Sequence, residues 1–141
     1  MNDILVLKEV YKNSSTGVYS MKKICEKIED KVFFDLISEQ KDDMQKIVDE
    51  SEQLLISYDE QPGDIGLMSK SGIVSSIMFK TISDNSPSNI ADILIKGNSM
   101  GINNLRKVMN SAVIENNQIS RLANELLSLQ ENNIERLKNY L

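Results

Sequence analysis

Apolar residues recur at intervals of three and four along most of this chain, and this spacing restricts the fold more than any other feature. It holds across four segments, at residues 4–28, 33–58, 90–108 and 119–141. A period near 3.6 places such residues on one face of an α-helix, where they can pack against other helices. The sequence therefore predicts an all-α protein of four long helices, in which no strand is needed.

The second and third segments are separated by residues 61–87, which contain both prolines of the chain. Pro62-Gly63 and the run from Ser83 to Pro87 interrupt helices. Between these breaks small and apolar residues are interleaved, which predicts a short extra helix that crosses from the first pair of helices to the second. The breaks near residues 29–31 and 110–117 are short, so each pair is predicted to be an antiparallel hairpin.

Capping residues and glycines give finer predictions. Asp3 is expected to cap the first helix, and Ser86, followed by Pro87, the third. Gly97 and Gly101 lie four residues apart on one face of the third helix. Glycine weakens a helix, so we expect another helix, most simply the crossover helix, to approach closely there.

Composition excludes several classes of protein. The 141 residues suit one domain, spanning 1–141, and the net charge of −5 is spread without a basic block, which argues against nucleic-acid and membrane partners. The first residues lack the pattern of a signal peptide, and the longest apolar stretch, residues 72–79, is too short to span a membrane. Cys25 is the only cysteine, so no internal disulfide can form. We expect a cytoplasmic protein.

The chain contains no histidine, which removes the commonest general base and most zinc and iron sites. Phosphate-binding glycine motifs are also absent. Carboxylates at helical spacing are typical of a solvated acidic face. Cys25 and most methionines fall in positions that favour a structural role in the core. The sequence thus predicts neither a catalytic residue nor a cofactor.

Polar residues on the apolar faces are the most unusual feature. Ser14 lies on the first face, Gln40 on the second, and Gln130 and Asn133 on the fourth. Buried amides need hydrogen-bond partners, so these side chains can bond to each other or to trapped water. Such a cluster can fix the helix register, bind a small polar ligand or be the relic of a metal centre; alternatively, the residues lie at the rim.

The order of elements resembles that of the small bacterial ferritin-like bundles of the DUF2383 type. The resemblance lies in the early run Asn2-Asp3-Ile4-Leu5, in residues 66–84 and in residues 90–97. It implies a ferritin-like, up-down four-helix bundle with a short helix in the crossover between the two hairpins. Active ferritin-like proteins hold two iron or manganese ions between a Glu from each of two helices and a Glu-x-x-His from each of the others.

This chain departs from that ligand set. Ser15 or Thr16 stands where the first glutamate is expected, Asn98 where the third-helix glutamate is, and Glu131 where a histidine is. Glu39-x-x-Asp42 keeps the spacing on the second helix without the imidazole. Neutral side chains remove the charge that two divalent cations need. The departure argues against metal binding while leaving the fold intact. The internal polar cluster that the apolar faces suggest would comprise Ser14, Gln40, Asn98 and Gln130.

We expect a non-enzymatic bundle that acts through its surface, either as a homo-oligomer or with a helical protein partner. The alternative is a di-iron or manganese oxidoreductase, or an iron-handling protein, with an atypical carboxylate site at Glu39, Asp42 and Glu131. Some spore-coat proteins share the ferritin-like fold, so the resemblance also implies a spore-associated role.

Metal content distinguishes these two hypotheses. Because the chain has no histidine, we expect protein purified without chelator to hold no stoichiometric iron, manganese or zinc and to show no ferroxidase activity. Elemental analysis tests this expectation. Two equivalents of iron per chain, lost in Glu39→Ala, would establish the alternative.

Overall fold

The computed structural model describes residues 2–63 and 84–141, and every regular element in these ranges is helical. Helix α1 spans Asn2–Cys25, α2 spans Lys31–Ser57, α3 spans Pro87–Asn110 and α4 spans Asn117–Leu137; one turn of 3-10 helix follows at Lys138–Tyr140. The prediction of an all-α protein with four long helices is confirmed. The predicted crossover helix falls within residues 64–83, outside the described residues.

Contacts at the helix ends establish how the four helices run. Each hairpin is antiparallel. The Asn85 side chain, before α3, donates to the carbonyl of Lys27, just after α1, at 3.2 Å, so α3 runs antiparallel to α1. The Asp3 carboxylate, at the start of α1, accepts from the backbone N–H of Asn116, just before α4, at 2.7 Å. The helices therefore run up, down, down and up, with α2 parallel to α3.

Helix α1 contacts each of the other three helices, as α4 also does. Between Asp3 and Cys25 only Leu5 and Lys22 are exposed. Apolar side chains from all four helices form one core around it. The largest fully buried ones are Leu7, Ile24, Phe33, Ile37, Met44, Leu55, Ile90, Leu105, Ile119, Leu122, Leu126 and Leu137.

Local capping explains where the helices begin. An Asp30 carboxylate oxygen accepts from the Phe33 N–H at 2.8 Å at the start of α2. As predicted, the Ser86 hydroxyl accepts from the Asn89 N–H, at 3.3 Å, and Pro87 occupies the first turn of α3. Each cap satisfies a backbone donor that has no partner within its helix.

The structure corrects the expectation for Asp3. This residue lies inside the first turn of α1. Its carboxylate accepts from the backbone N–H groups of Glu115, at 3.1 Å, and Asn116, at 2.7 Å. Asp3 thus joins the start of α1 to the segment that leads into α4, a contact 113 residues apart in sequence. Helical spacing alone carries no information about such a long-range contact.

This contact predicts a measurable role for Asp3 in stability. Asp3→Ala leaves the two N–H groups without their charged acceptor, so we expect the free energy of unfolding to fall by about 1–2 kcal/mol. Denaturant unfolding followed by circular dichroism measures it. Asp49→Ala is the matched control, because the Asp49 carboxylate accepts only an exposed bond from Gln45 in its own helix. Equal stability of the two variants would contradict the proposed link.

Candidate functional site

The middle of α1 is a run of small polar residues, Asn13-Ser14-Ser15-Thr16-Gly17, in which Ser14, Ser15 and Thr16 are buried. Such residues favour helices poorly because their side chains compete for backbone groups. Here the serine hydroxyls donate to carbonyls of their own helix: Ser14 to Val10 at 2.7 Å and Ser15 to Lys12 at 3.2 Å. Their polar groups are thereby satisfied locally, and neighbouring helices can approach this part of α1.

Gly17 shows how close that approach is. A Cβ atom built on Gly17 would lie 2.5 Å from the sulfur of Met44. A real Cβ at this position would therefore force Met44 of α2 to move. The missing side chain leaves the room that the Met44 side chain occupies between the two helices of the first hairpin.

Two side-chain amides join three helices at the same level. The Gln130 amide of α4 donates to the Asn13 side-chain oxygen at 2.8 Å. The Asn13 amide then donates to the backbone carbonyl of Gly101 in α3, also at 2.8 Å. We call this chain of two hydrogen bonds, through Gln130, Asn13 and Gly101, the amide chain.

The amide chain needs a glycine in α3. A Cβ on Gly101 would lie 2.5 Å from the Gln130 side-chain nitrogen and 2.6 Å from the Asn13 side-chain oxygen. The predicted close approach at Gly101 is therefore present, but amides of α1 and α4 make it. Gly97 differs, because it is exposed and a Cβ there would meet no atom of the described residues within 4 Å. The crossover helix, the partner expected for Gly97, falls in residues 64–83, so close approach at Gly97 stays a prediction.

The predicted internal polar cluster lies in the interior. Exposed fractions are 0% for Ser14 and Gln40, 3% for Gln130 and 8% for Asn98, so none lies at the rim. Three of these residues form hydrogen bonds, each with a different partner. Ser14 bonds within its own helix, the Asn98 amide donates to the Leu94 carbonyl at 2.8 Å, and Gln130 belongs to the amide chain. Direct bonds therefore do not join these four residues to each other.

Several buried polar atoms have no hydrogen-bond partner among residues 2–63 and 84–141. They are the Ser20 hydroxyl, both polar atoms of the Gln40 amide, the Gln130 side-chain oxygen and the Asn133 side-chain nitrogen. Leaving such a group unsatisfied costs about 1–3 kcal/mol. Native proteins bond nearly all their buried polar groups, so these atoms point to an interaction beyond direct contacts between side chains.

The candidate metal ligands lie on the surface. Glu39 forms an ion pair with Arg136 at 2.9 Å, and Glu131 forms one with Arg106 at 3.3 Å. Arg136 holds the pKa of Glu39 below its ordinary value through a side-chain hydrogen bond and its positive charge. The Asp42 side chain is 69% exposed, and its nearest cation is Lys41, at 3.6 Å. Within the described part of the chain, these carboxylates do not converge on one site.

Cys25 is half-buried at the end of α1. Burial raises the pKa of its thiol, with Lys41 lowering it and Asp42 raising it to smaller extents. A raised pKa reduces the thiolate fraction, and the thiolate is the reactive form. This environment suits the structural role expected for Cys25, although the residue is less buried than that expectation implied.

Sequence reasoning missed Asn13 and Ser20. Neither lies on the apolar face of α1, so helical spacing gave no reason to select them. The available signal was the run of poor helix formers from Asn13 to Gly17. Such a run lowers the stability of a helix unless tertiary contacts compensate. Ser20 continues the buried polar side of the same helix.

Comparisons with known proteins give no further guide to the site. Scans of protein-family models, curated proteins and solved structures yield no match to this chain. Among the described helices, none combines the length and apolar character required to cross a bilayer. The function is therefore inferred from the geometry of the chain itself.

The two glycines of α3 form a matched pair for testing the amide chain. Gly97→Ala adds a methyl group in open space, so we expect the free energy of unfolding to rise by about 0.5–1 kcal/mol through helix propensity. Gly101→Ala gains the same propensity but displaces the Asn13 and Gln130 amides. Two partly buried hydrogen bonds are then lost, so we expect a net decrease of about 1 kcal/mol.

Thermal and denaturant unfolding of both variants measures this difference. Opposite signs for the two substitutions support the amide chain. If Gly101→Ala is as stabilising as Gly97→Ala, the close approach at Gly101 does not contribute to stability. Gly101→Leu, with its larger side chain, should be less stable than Gly101→Ala.

Proposed function

We propose that this chain is a non-enzymatic helical bundle that associates with a second copy of itself through one end. The observation that carries the proposal is a group of four exposed apolar side chains there, against three, Val32, Phe34 and Leu141, at the opposite end. We call this surface the apolar end and define it by Leu5, Ile56, Tyr58 and Val113, which are 57%, 56%, 41% and 75% exposed. They make up half of the eight large apolar side chains that are exposed in the described ranges.

Hydrogen bonds show that these four residues surround the same end of the bundle. The Asn116 amide donates to the Tyr58 hydroxyl at 3.0 Å, and Asp3 accepts from the N–H groups of Glu115 and Asn116. Leu5 follows Asp3 by two residues, Val113 precedes Glu115 by two, and Ile56 precedes Tyr58 by two. Clustered apolar side chains, unlike scattered ones, mark interaction surfaces.

A second copy suits this surface because a two-fold axis brings each patch against its own equivalent. An apolar centre is complementary to itself in such an interface. At the edge, Lys8 and Glu60 neutralise each other at 3.2 Å. Asp59 and Glu115 are exposed nearby, so two copies bring like charges together at the rim. Salt should therefore strengthen self-association, whereas it would weaken binding to a basic partner.

No specific observation favours the metal-dependent oxidoreductase predicted as the alternative. Its three carboxylates, Glu39, Asp42 and Glu131, lie on the surface, and two of them form ion pairs across to other helices. The DUF2383-type resemblance, the cytoplasmic location and the spore-associated role stay predictions. They are compatible with a small self-associating bundle, and none of them is needed for the proposal.

Sedimentation velocity over a range of protein concentrations tests the proposal. We expect the parent chain to form dimers, with Ile56→Glu and Val113→Glu weakening dimerisation at least tenfold, because each buries a charge in the apolar centre. Met100→Glu is the matched control, since Met100 is 54% exposed on α3, away from the apolar end. This control should dimerise like the parent.

A parent chain that stays monomeric at all concentrations would overturn the proposal. Equal weakening by Met100→Glu would place the interface elsewhere and would also overturn it. Dimerisation that strengthens as salt is raised supports two acidic rims in contact. Dimerisation that weakens with salt contradicts this arrangement.

A further inference from the structure

We infer that the bundle binds ordered water in its interior, between Ser20 of α1, Gln40 of α2 and Asn133 of α4. We call these three residues the polar layer. Their exposed fractions are 5%, 0% and 1%. Each contributes at least one polar atom without a hydrogen-bond partner among the described residues. Two independent observations, the unsatisfied atoms and the helix register, support this site.

The register of α2 against α4 places Gln40 opposite Asn133. Two ion pairs fix it: Arg136 with Glu39 and Arg121 with Glu50, each at 2.9 Å. Since the helices are antiparallel and each residue advances about 1.5 Å, the level of Gln40 follows from these two pairs. Counting from Glu39 and Arg136 puts Gln40 level with Glu135, and counting from Glu50 and Arg121 puts it level with Glu131. Asn133 therefore lies within about two residues, roughly 3 Å along the axis, of the level of Gln40. Both residues are buried, so both side chains lie in the interior at that level.

The register of α1 against α2 adds Ser20 to the same level. Met44 of α2 lies against Gly17 of α1. Ser20 is one turn beyond Gly17, and Gln40 is about one turn before Met44. In an antiparallel pair these two steps go in the same direction, so Ser20 and Gln40 lie at one level. Three helices therefore contribute buried polar side chains to one layer.

The chemistry of the polar layer selects a small neutral ligand. The Gln40 amide offers two donors and an oxygen acceptor, Asn133 offers donors, and the Ser20 hydroxyl can donate or accept. One turn away on α4, the Gln130 oxygen is a further acceptor without a partner among the described residues. None of these groups is charged, so the layer provides no counter-charge for an ion.

Water fits this set of donors and acceptors. A buried water molecule usually makes about three hydrogen bonds to otherwise unsatisfied polar groups, and globular proteins hold about one per 27 residues. One or two molecules between Gln40, Asn133 and Ser20 would satisfy donors and acceptors together. The inference does not depend on the proposed self-association, because the polar layer lies inside the bundle.

Magnetic relaxation dispersion of deuterium and oxygen-17 in solutions of the full chain counts long-lived internal water molecules. We expect the parent to hold at least one such molecule and Gln40→Leu to hold at least one fewer. The matched control is Ser51→Ala. Ser51 lies on the same buried face of α2, is 0% exposed and donates to the Val48 carbonyl at 3.0 Å. Removing this already satisfied hydroxyl should leave the water count unchanged.

A parent chain without long-lived internal water would overturn the inference. So would Gln40→Leu with the same water count as the parent. If Gln40→Leu does not fold, Asn133→Leu provides the second test: it removes the donor while keeping the volume, with the same expected loss and the same contrary result. A crystal structure of the parent should show water against the Gln40 amide. Direct hydrogen bonds from protein groups to both polar atoms of Gln40 would refute the site.

Discussion

The amide chain is the interaction on which the arrangement of α1, α3 and α4 depends. Apolar packing holds the bundle together, but it is non-directional and tolerates sliding of one helix along another. The hydrogen bonds from Gln130 to Asn13 and from Asn13 to Gly101, each 2.8 Å long, exist at only one register. They also require a glycine at one particular turn of α3. Hydrogen bonds between polar groups therefore fix the register of the helices in this core.

This arrangement has a local cost in α1. Asn13 to Gly17 are all poor helix formers, yet they occupy the middle of a 24-residue helix. Tertiary contact compensates: Met44 of α2 comes close to α1 at Gly17, and the Asn13 side chain bonds to the Gln130 amide of α4 and the Gly101 carbonyl of α3. Ser14 and Ser15 avoid the cost of burying an unsatisfied hydroxyl, because each donates to a carbonyl of its own helix. A helix made of stronger helix formers would be more stable alone and would hold its neighbours further away.

The sequence predicts the fold well because helical spacing, prolines and caps are local signals. Ser86, Pro87 and the break after Asn110 needed no information from distant residues. Gly97 and Gly101 show the limit: both are glycines on the same face, but among the described residues only Gly101 has a neighbour within contact distance. Spacing identifies a face and cannot identify what lies against it. For the same reason spacing placed Gln40 on an apolar face but left its burial open, and it gave no partner for Asn13 or for Asp3.

Among the described residues Glu9 is the one buried charged side chain, and it pairs with Lys12 at 3.2 Å; the other buried polar side chains are neutral. The ion pairs of Glu39, Glu50 and Glu131 with arginines are exposed, where such pairs contribute little to stability. A carboxylate placed at Gln40 would lose most of its hydration and would need a buried partner charge. Carboxamides and hydroxyls need only hydrogen bonds, which one another or water can supply, and they do not titrate where carboxylates do. Neutral polar groups therefore give directional contacts between the helices without placing an unpaired charge in the interior.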